Sequence, residues 1–282
     1  MSSNRAAPSP APTPEPAAFF DPAEFPLRLA LEQTHYWHLH RRRVIFDAVS
    51  GLAPPGARWI DLGCGIGTVA LYLNRHGIGT DCCDLHEEAL TLARRRFAET
   101  PELEGRAVRF FRHDLTRDPA PTNGYAGALV LDVIEHLPDD RAALRRAGEF
   151  LAPGGESLLV VSVPAFPALW SPWDVIERHR RRYTRDSLVR ALDGAGFEPL
   201  RMTHFFLPLF LPAALVKVLR AVRDRLFGHR PPERITDLVE TRNPRLLDAL
   251  LAPALRLERA RLARGGDLPF GTSLLAVARR RA

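Results

Sequence analysis

Four short strings carry residue types and spacings able to hold a ligand. The first is Asp61-Leu62-Gly63-Cys64-Gly65-Ile66-Gly67-Thr68. Its glycines let the backbone bend sharply and approach a ligand with no Cβ in the way, and the helix that follows starts with unpaired N–H groups. A dinucleotide cradle of the form G-x-G-x-x-G needs its third glycine at position 68. Threonine stands there and the spacing is G-x-G-x-G, which argues against a pyrophosphate site. The second string holds Asp84, about 20 residues on, where an acid at a strand end can accept two hydrogen bonds from a ribose diol. The competing reading of Asp84 is a helix N-cap ahead of Glu87 and Glu88. The third and fourth strings are His113-Asp114-Leu115 and Asp132-Val133-Ile134-Glu135-His136-Leu137-Pro138-Asp139.

These strings need a scaffold, and the apolar pattern supplies one. Strands are expected at Arg58–Leu62, Ile78–Cys83, Val108–Arg112, Ala126–Leu131, Ser157–Val163, Phe197–His204 and Thr272–Val277. Helices fall between them at Thr68–His76, about His86 to Glu99, Arg141–Leu151 and Arg185–Gly194. Continuous apolar runs such as AGALVL suit strands buried on both faces. Alternating β and α elements predict an α/β fold, a seven-stranded, mostly parallel, doubly wound sheet. All four strings then lie at the carboxyl ends of parallel strands, the rim where open α/β sheets bind ligands. Pro26 to Leu52 reads as one or two amphipathic helices. Residues 1–22 read as a disordered, proline-rich leader with no apolar signal core. Residues 23–204 plus 269–282 form the main domain, and 205–268 a helical lid or insertion before the last strand. The two prolines of FFLPLFLPAAL argue against a long straight helix there.

Composition narrows the partners. The net charge is +6 and the pI about 9.9, as in nucleic-acid or anionic-membrane binders. Yet Lys217 is the one lysine among 39 basic residues, while arginine, alanine and proline abound, a compositional bias rather than a binding face. No nucleic-acid partner is expected. The adjacent Cys82 and Cys83 diverge along a strand, and with Cys64 they read as reduced thiols, so a cytoplasmic protein is expected. No run reaches the length of a membrane span. No metal site is expected. His35 and His38 sit three apart on a helix, but no carboxylate stands at matching spacing.

The strings DLGCGIG, DLHEEAL, HDL and DVIEHLPD, in this order and spacing, resemble the class I, Rossmann-like methyltransferases that use S-adenosylmethionine. The likeness is to the small-molecule branch that includes ubiquinone-type O-methyltransferases. It covers roughly residues 57–200, with a final strand at 272–279. The resemblance implies that Gly63, Gly65 and Gly67 pass under the methionine and ribose of the cofactor. Asp61 would anchor the loop or meet the cofactor's amino group; its other reading is a cap on the loop amides. Asp84 would hold the ribose hydroxyls with Leu85 against the adenine, Asp114 would take the adenine amino group beside Leu115, and Asp132 would line the methionine end.

Displacement at a sulfonium methyl needs an aligned nucleophile and, for a protonated oxygen or nitrogen, a general base. His136 and His179 are the candidates; a structural histidine at a helix start is the other reading of His136. Tyr36, Trp37, Trp170, Arg182 and Tyr183 are expected on the substrate side. Arginines there would hold a phosphate or carboxylate or form a solvated charge run, and Tyr36 and Trp37 would otherwise be core aromatics. In relatives the N-terminal helix closes over the cofactor, and the same is expected here. Residues 205–227 are read first as a helical lid packed on the sheet. The second reading is a lipid-like acceptor tunnel or a peripheral contact with the inner membrane surface, carried by Phe206, Leu209 and Phe210. The acceptor is expected to be a small or lipid-like molecule methylated on oxygen or nitrogen. Nucleic-acid methylation, a cofactor-binding regulator without turnover and a nicotinamide oxidoreductase are the alternatives. The sequence leaves the acceptor and the oligomeric state open.

Overall fold

The computed structural model describes residues 25–121, 124–154, 156–227 and 244–281. The expected leader at 1–22 lies outside the described residues. Seven strands form one sheet: β1 Trp59–Leu62, β2 Thr80–Asp84, β3 Phe110–Arg112, β4 Gly127–Leu131, β5 Leu158–Pro164, β6 Phe197–Phe205 and β7 Ser273–Arg280. Their order is β3-β2-β1-β4-β5-β7-β6. Neighbours run parallel from β3 through β5. β7 runs antiparallel between β5 and β6. The chain reverses its direction of travel between β1 and β4, the switch point at which such sheets open a ligand crevice.

The helices are α1 Phe25–Thr34, α2 Tyr36–Ser50, α3 Thr68–Arg75, α4 Glu87–Ala98, α5 Asp140–Glu149, α6 Pro172–Ile176, α7 Arg185–Gly194, α8 Leu207–Phe227 and α9 Pro244–Ala263. The N-terminal segment divides at His35, whose side chain accepts the Trp37 N–H and caps α2. The period-two alternation of strands sorts the core. Ile60, Leu62, Ala128, Val130, Leu159 and Val161 point to α5 and α7. Trp59, Leu129, Leu131, Val160 and Leu275 point to α2, α3 and α9. β4 and the inner part of β5 are therefore buried on both faces and read as unbroken apolar runs.

The C-terminal helices differ from expectation. α8 is one helix of 21 residues running through Pro212. Pro208 occupies the first turn, where an N–H has no helical partner anyway, and Pro212 forfeits only the bond to the carbonyl four residues back. The residues expected to offer a membrane contact face inward. Phe206 is fully buried and stacks on Trp37 at 5.5 Å, Leu209 packs on the α2 and α9 core, and Phe210 sits between Phe166 and Phe270. The exposed apolar side chains are Leu211, Leu215, Val218, Leu219 and Val222. This apolar side of α8 meets solvent.

One buried carboxylate joins three of these helices. Glu258 of α9 pairs with His40 Nε2 of α2 at 2.8 Å. It also accepts the N–H groups of Phe206 at 2.7 Å and Leu207 at 2.6 Å, at the start of α8.

Candidate active site

The bend after β1 is shaped by backbone conformations that favour glycine. Gly63, Gly65 and Gly67 have φ of +78°, +56° and +75°, where a Cβ would be strained. The Gly63 and Cys64 N–H groups donate to the Cys83 carbonyl at 2.8 and 3.0 Å, tying the bend to the end of β2. Gly65 N–H then donates to Asp84 Oδ2 at 2.8 Å, and His86 N–H to Oδ1 at 2.9 Å. Asp84 is thus held by backbone on both oxygens, with a lone pair left on each. Burial pushes its carboxyl up, and the two amides draw it back. The N-cap of α4 is His86, not Asp84.

Asp61 lies beneath the same bend. It is buried, and its Oδ1 has no hydrogen-bond partner among the described residues. Burial pushes its carboxyl up to about 7, Arg41 draws it down and Asp84 pushes it up further, while the Ala70 amide meets it from α3. Asp61 thus accepts one amide of the first turn of α3 and keeps a buried oxygen without a hydrogen bond among the described residues. A Cβ at Gly65 would have open space before it, with no atom within 4 Å. A cradle open at Gly65, an acid for a diol and a buried acid short of a cation fit the ribose and amino-acid ends of S-adenosylmethionine. Leu85 and Leu115 are half-buried. Asp114 Oδ1 accepts from Thr116 N–H at 2.8 Å and Thr116 Oγ1 at 2.6 Å, so its own loop occupies that oxygen.

On the β4 side, Asp132 adopts a φ of +54° and pairs with Arg41 Nη2 at 2.5 Å. Arg41, which the sequence reading did not single out, draws on both Asp61 and Asp132 and seats α2 over the rim. Trp37 lies under the Arg41 guanidinium and is partly buried, as is Tyr36 beside His35. Burial holds His38 down at about 3, with Arg41 adding to the effect.

The structure brings His136 and His179 together, with ring centroids 4.8 Å apart. Burial pushes His136 down to about 4, and His179 adds to this, so the ring is neutral. His179 Nδ1 meets Asp174 Oδ1 at 2.9 Å. Asp174 is fully buried and also accepts from Ser171 N–H at 2.7 Å, Ser171 Oγ at 3.0 Å and Arg182 Nε at 2.7 Å. Burial pushes Asp174 up, but the bonds from His179 and Arg182 outweigh it and hold the carboxyl at about 2. Glu135, near His136 and His179, is fully buried with neither oxygen hydrogen-bonded among the described residues.

Two expected substrate residues serve the protein instead. Arg182 is occupied by Asp174 and by the Ala165 carbonyl at 3.1 Å. Tyr183 is buried and donates to Asp140 Oδ2 at 2.8 Å. Trp170 is partly exposed. Glu135 and Asp174 both lie in strings that stood out in the sequence, but only the fold shows what faces them.

A glycine bend facing an acid at the β1/β2 tips of a β3-β2-β1-β4-β5-β7-β6 sheet is the build of a class I, Rossmann-like methyltransferase. A family model described as a methyltransferase domain matches residues 36–201, more than half of the chain, and the chain belongs to that family. The S-adenosyl-L-methionine-dependent Diels-Alderase iccD of Talaromyces variabilis is 33% identical over 38% of this chain and 37% of its own length. A ubiquinone biosynthesis O-methyltransferase of Paracidovorax citrulli is 26% identical over 62% of this chain and 66% of its own. These matches span less than two thirds of either relative. The putative methyltransferase solved in complex with the Haloferax volcanii Trm112 activator superposes with a TM-score of 0.58 at 17% identity, covering 94% of this chain and 98% of that one.

Proposed function

We propose that this protein transfers the methyl group of S-adenosylmethionine to an oxygen or nitrogen of a small or lipid-like acceptor. The observation that carries the reading is the pairing of Gly65 N–H with the Asp84 carboxylate at 2.8 Å, which builds a diol acceptor into the backbone bend. Bound S-adenosylmethionine supplies an electrophilic methyl on a sulfonium, open to direct displacement. The chain's share is positioning and exclusion of water. Asp84 takes the ribose hydroxyls, Asp61 the ammonium, and Leu85 and Leu115 the faces of the adenine. Asp132, held by Arg41, borders the methionine end. His136, just after β4, and His179, between α6 and α7, stand beyond it with their rings side by side, where an acceptor meets imidazole nitrogens.

The ubiquinone-type relative supports a small-molecule acceptor; the Diels-Alderase relative makes methyl transfer itself the point to test. Purified protein is expected to bind S-adenosylhomocysteine with one-to-one stoichiometry in calorimetry. With cell-extract small molecules it is expected to release S-adenosylhomocysteine from S-adenosylmethionine. Binding without release from any extract would favour a regulator; no binding would overturn the reading.

A lipid-like acceptor has one observation of its own. Leu211, Leu215, Val218, Leu219 and Val222 form an exposed apolar stripe on α8, and Lys217, Arg223 and Arg225 are exposed on the same helix. That combination suits a helix lying at an anionic bilayer surface. No described helix is long and apolar enough to cross a membrane. Co-sedimentation with anionic vesicles, lost in Leu215→Ser/Leu219→Ser, is the expected result.

A further inference from the structure

The cluster at the end of β4 holds more than a proton acceptor requires. Glu135, His136 and His179 place one ligand atom each within 4.8 Å of the others. Glu135 is fully buried and neither carboxylate oxygen has a hydrogen-bond partner among the described residues. A carboxylate taken from water and left without a partner is costly by several kcal/mol, and a cation beside it removes that cost. The two imidazoles facing it cannot both be explained as its ion-pair partners, because His179 already engages Asp174.

The outer contacts are those of ligating histidines. His179 gives Nδ1 to the buried Asp174 carboxylate, 2.9 Å away, which fixes the ring and leaves Nε2 to the cluster. Asp174 is itself fixed by Ser171 and Arg182. His136 meets the backbone of Arg178. A carboxylate or carbonyl behind each histidine is the usual outer shell of a metal site.

We propose that Glu135, His136 and His179 bind one first-row divalent transition-metal ion. Two nitrogens and one carboxylate favour manganese, iron or zinc over magnesium or calcium, which take oxygen-rich sets. At about 2.1 Å from each donor, neighbouring ligands stand about 3 Å apart, so the side chains close by an ångström or two around the ion. Three protein ligands leave positions open on the acceptor side. Resting on the methyl-transfer reading, those positions take an acceptor oxygen, and the histidines then serve as ligands rather than as bases. The site does not use His35 and His38, the pair that drew attention in the sequence.

The test is calorimetry of chelator-treated full-length protein with Mn(II) and with Zn(II), alongside S-adenosylhomocysteine titrations. Wild type is expected to bind one ion. Glu135→Gln and His179→Asn are each expected to weaken ion binding tenfold or more while S-adenosylhomocysteine affinity stays within twofold, which also reports that the variants fold. His35→Asn is expected to bind as wild type does. No ion bound by wild type, or unchanged affinity in both Glu135→Gln and His179→Asn, would overturn the proposal. Ion binding that depends on these residues in a protein that does not bind S-adenosylhomocysteine would support this site and overturn the cofactor reading alone.

Discussion

The two halves of the rim are built from different material. At β1 and β2 the rim is mostly backbone: three glycines with positive φ, a pair of N–H groups on the Cys83 carbonyl, and Asp84 held by two amides. Beyond β4 and β5 it is mostly side chain: Glu135, His136 and His179, with Asp174 and Arg182 behind them, drawn from positions up to 47 apart between 135 and 182. A backbone bend is fixed by a few consecutive residues. A side-chain cluster is fixed by the whole fold.

If this division is right, damage to the second half is structural first. Asp174→Ala leaves Arg182 and His179 facing a buried gap and is expected to cost about 3–5 kcal/mol, read as a lower denaturation midpoint. Because Asp174 is held below the ordinary carboxylate value, its contribution is present above about pH 4. It is lost as the pH falls towards about 2. A midpoint close to wild type would erase the contrast.

Damage to the first half is expected to appear in binding. Asp84→Ala should weaken S-adenosylhomocysteine tenfold or more, as expected for hydrogen bonds to a charged group worth about 1.5–3 kcal/mol. Unchanged affinity in calorimetry would remove the ribose assignment. Gly65→Ala should cost about 1–2 kcal/mol through the left-handed conformation alone, so a variant as stable as wild type in denaturant would show that the bend is not held as described.

Asp61 sharpens the comparison by pH. Its carboxyl stands near 7, above the ordinary value, so the ligand-free protein loses stability as the pH rises towards 7. A bound ammonium favours the charged form, so S-adenosylhomocysteine affinity should rise between about pH 6 and 8 and then level. Asp61→Asn should flatten that rise, and a rise that persists in the variant would place the titrating group elsewhere. The smallest effect belongs to neither half: Leu215→Ser/Leu219→Ser should change stability by no more than about 0.5 kcal/mol per site. A larger loss would mean that the α8 stripe is covered.

The same division explains what could be read from the sequence. The strands showed as apolar runs, and the glycine bend as three residues within five positions, because both are local. The partner of Arg41 lies at 132 and that of His40 at 258, and no periodicity joins such positions. Glu135 sat in plain view beside His136, but its burial and the approach of His179 exist only once β5 and α6 are folded. Asp81 was read as part of an apolar strand. It is buried in β2 and satisfied by Arg58, Arg109 and Tyr125 from three other segments. Proline statistics misled for α8, because one missing amide bond is a small loss within a helix anchored at its start.

That anchor reaches further than its own helix. Glu258 is seated among His40, Phe206 and Leu207, and β7 is lodged between β5 and β6, so the last helix and strand contribute to the interior. A polypeptide halted at 243 would present two raw sheet edges and an unanswered imidazole. Such a shortened form should go to inclusion bodies, and the missing piece, co-expressed as a separate peptide, should restore solubility.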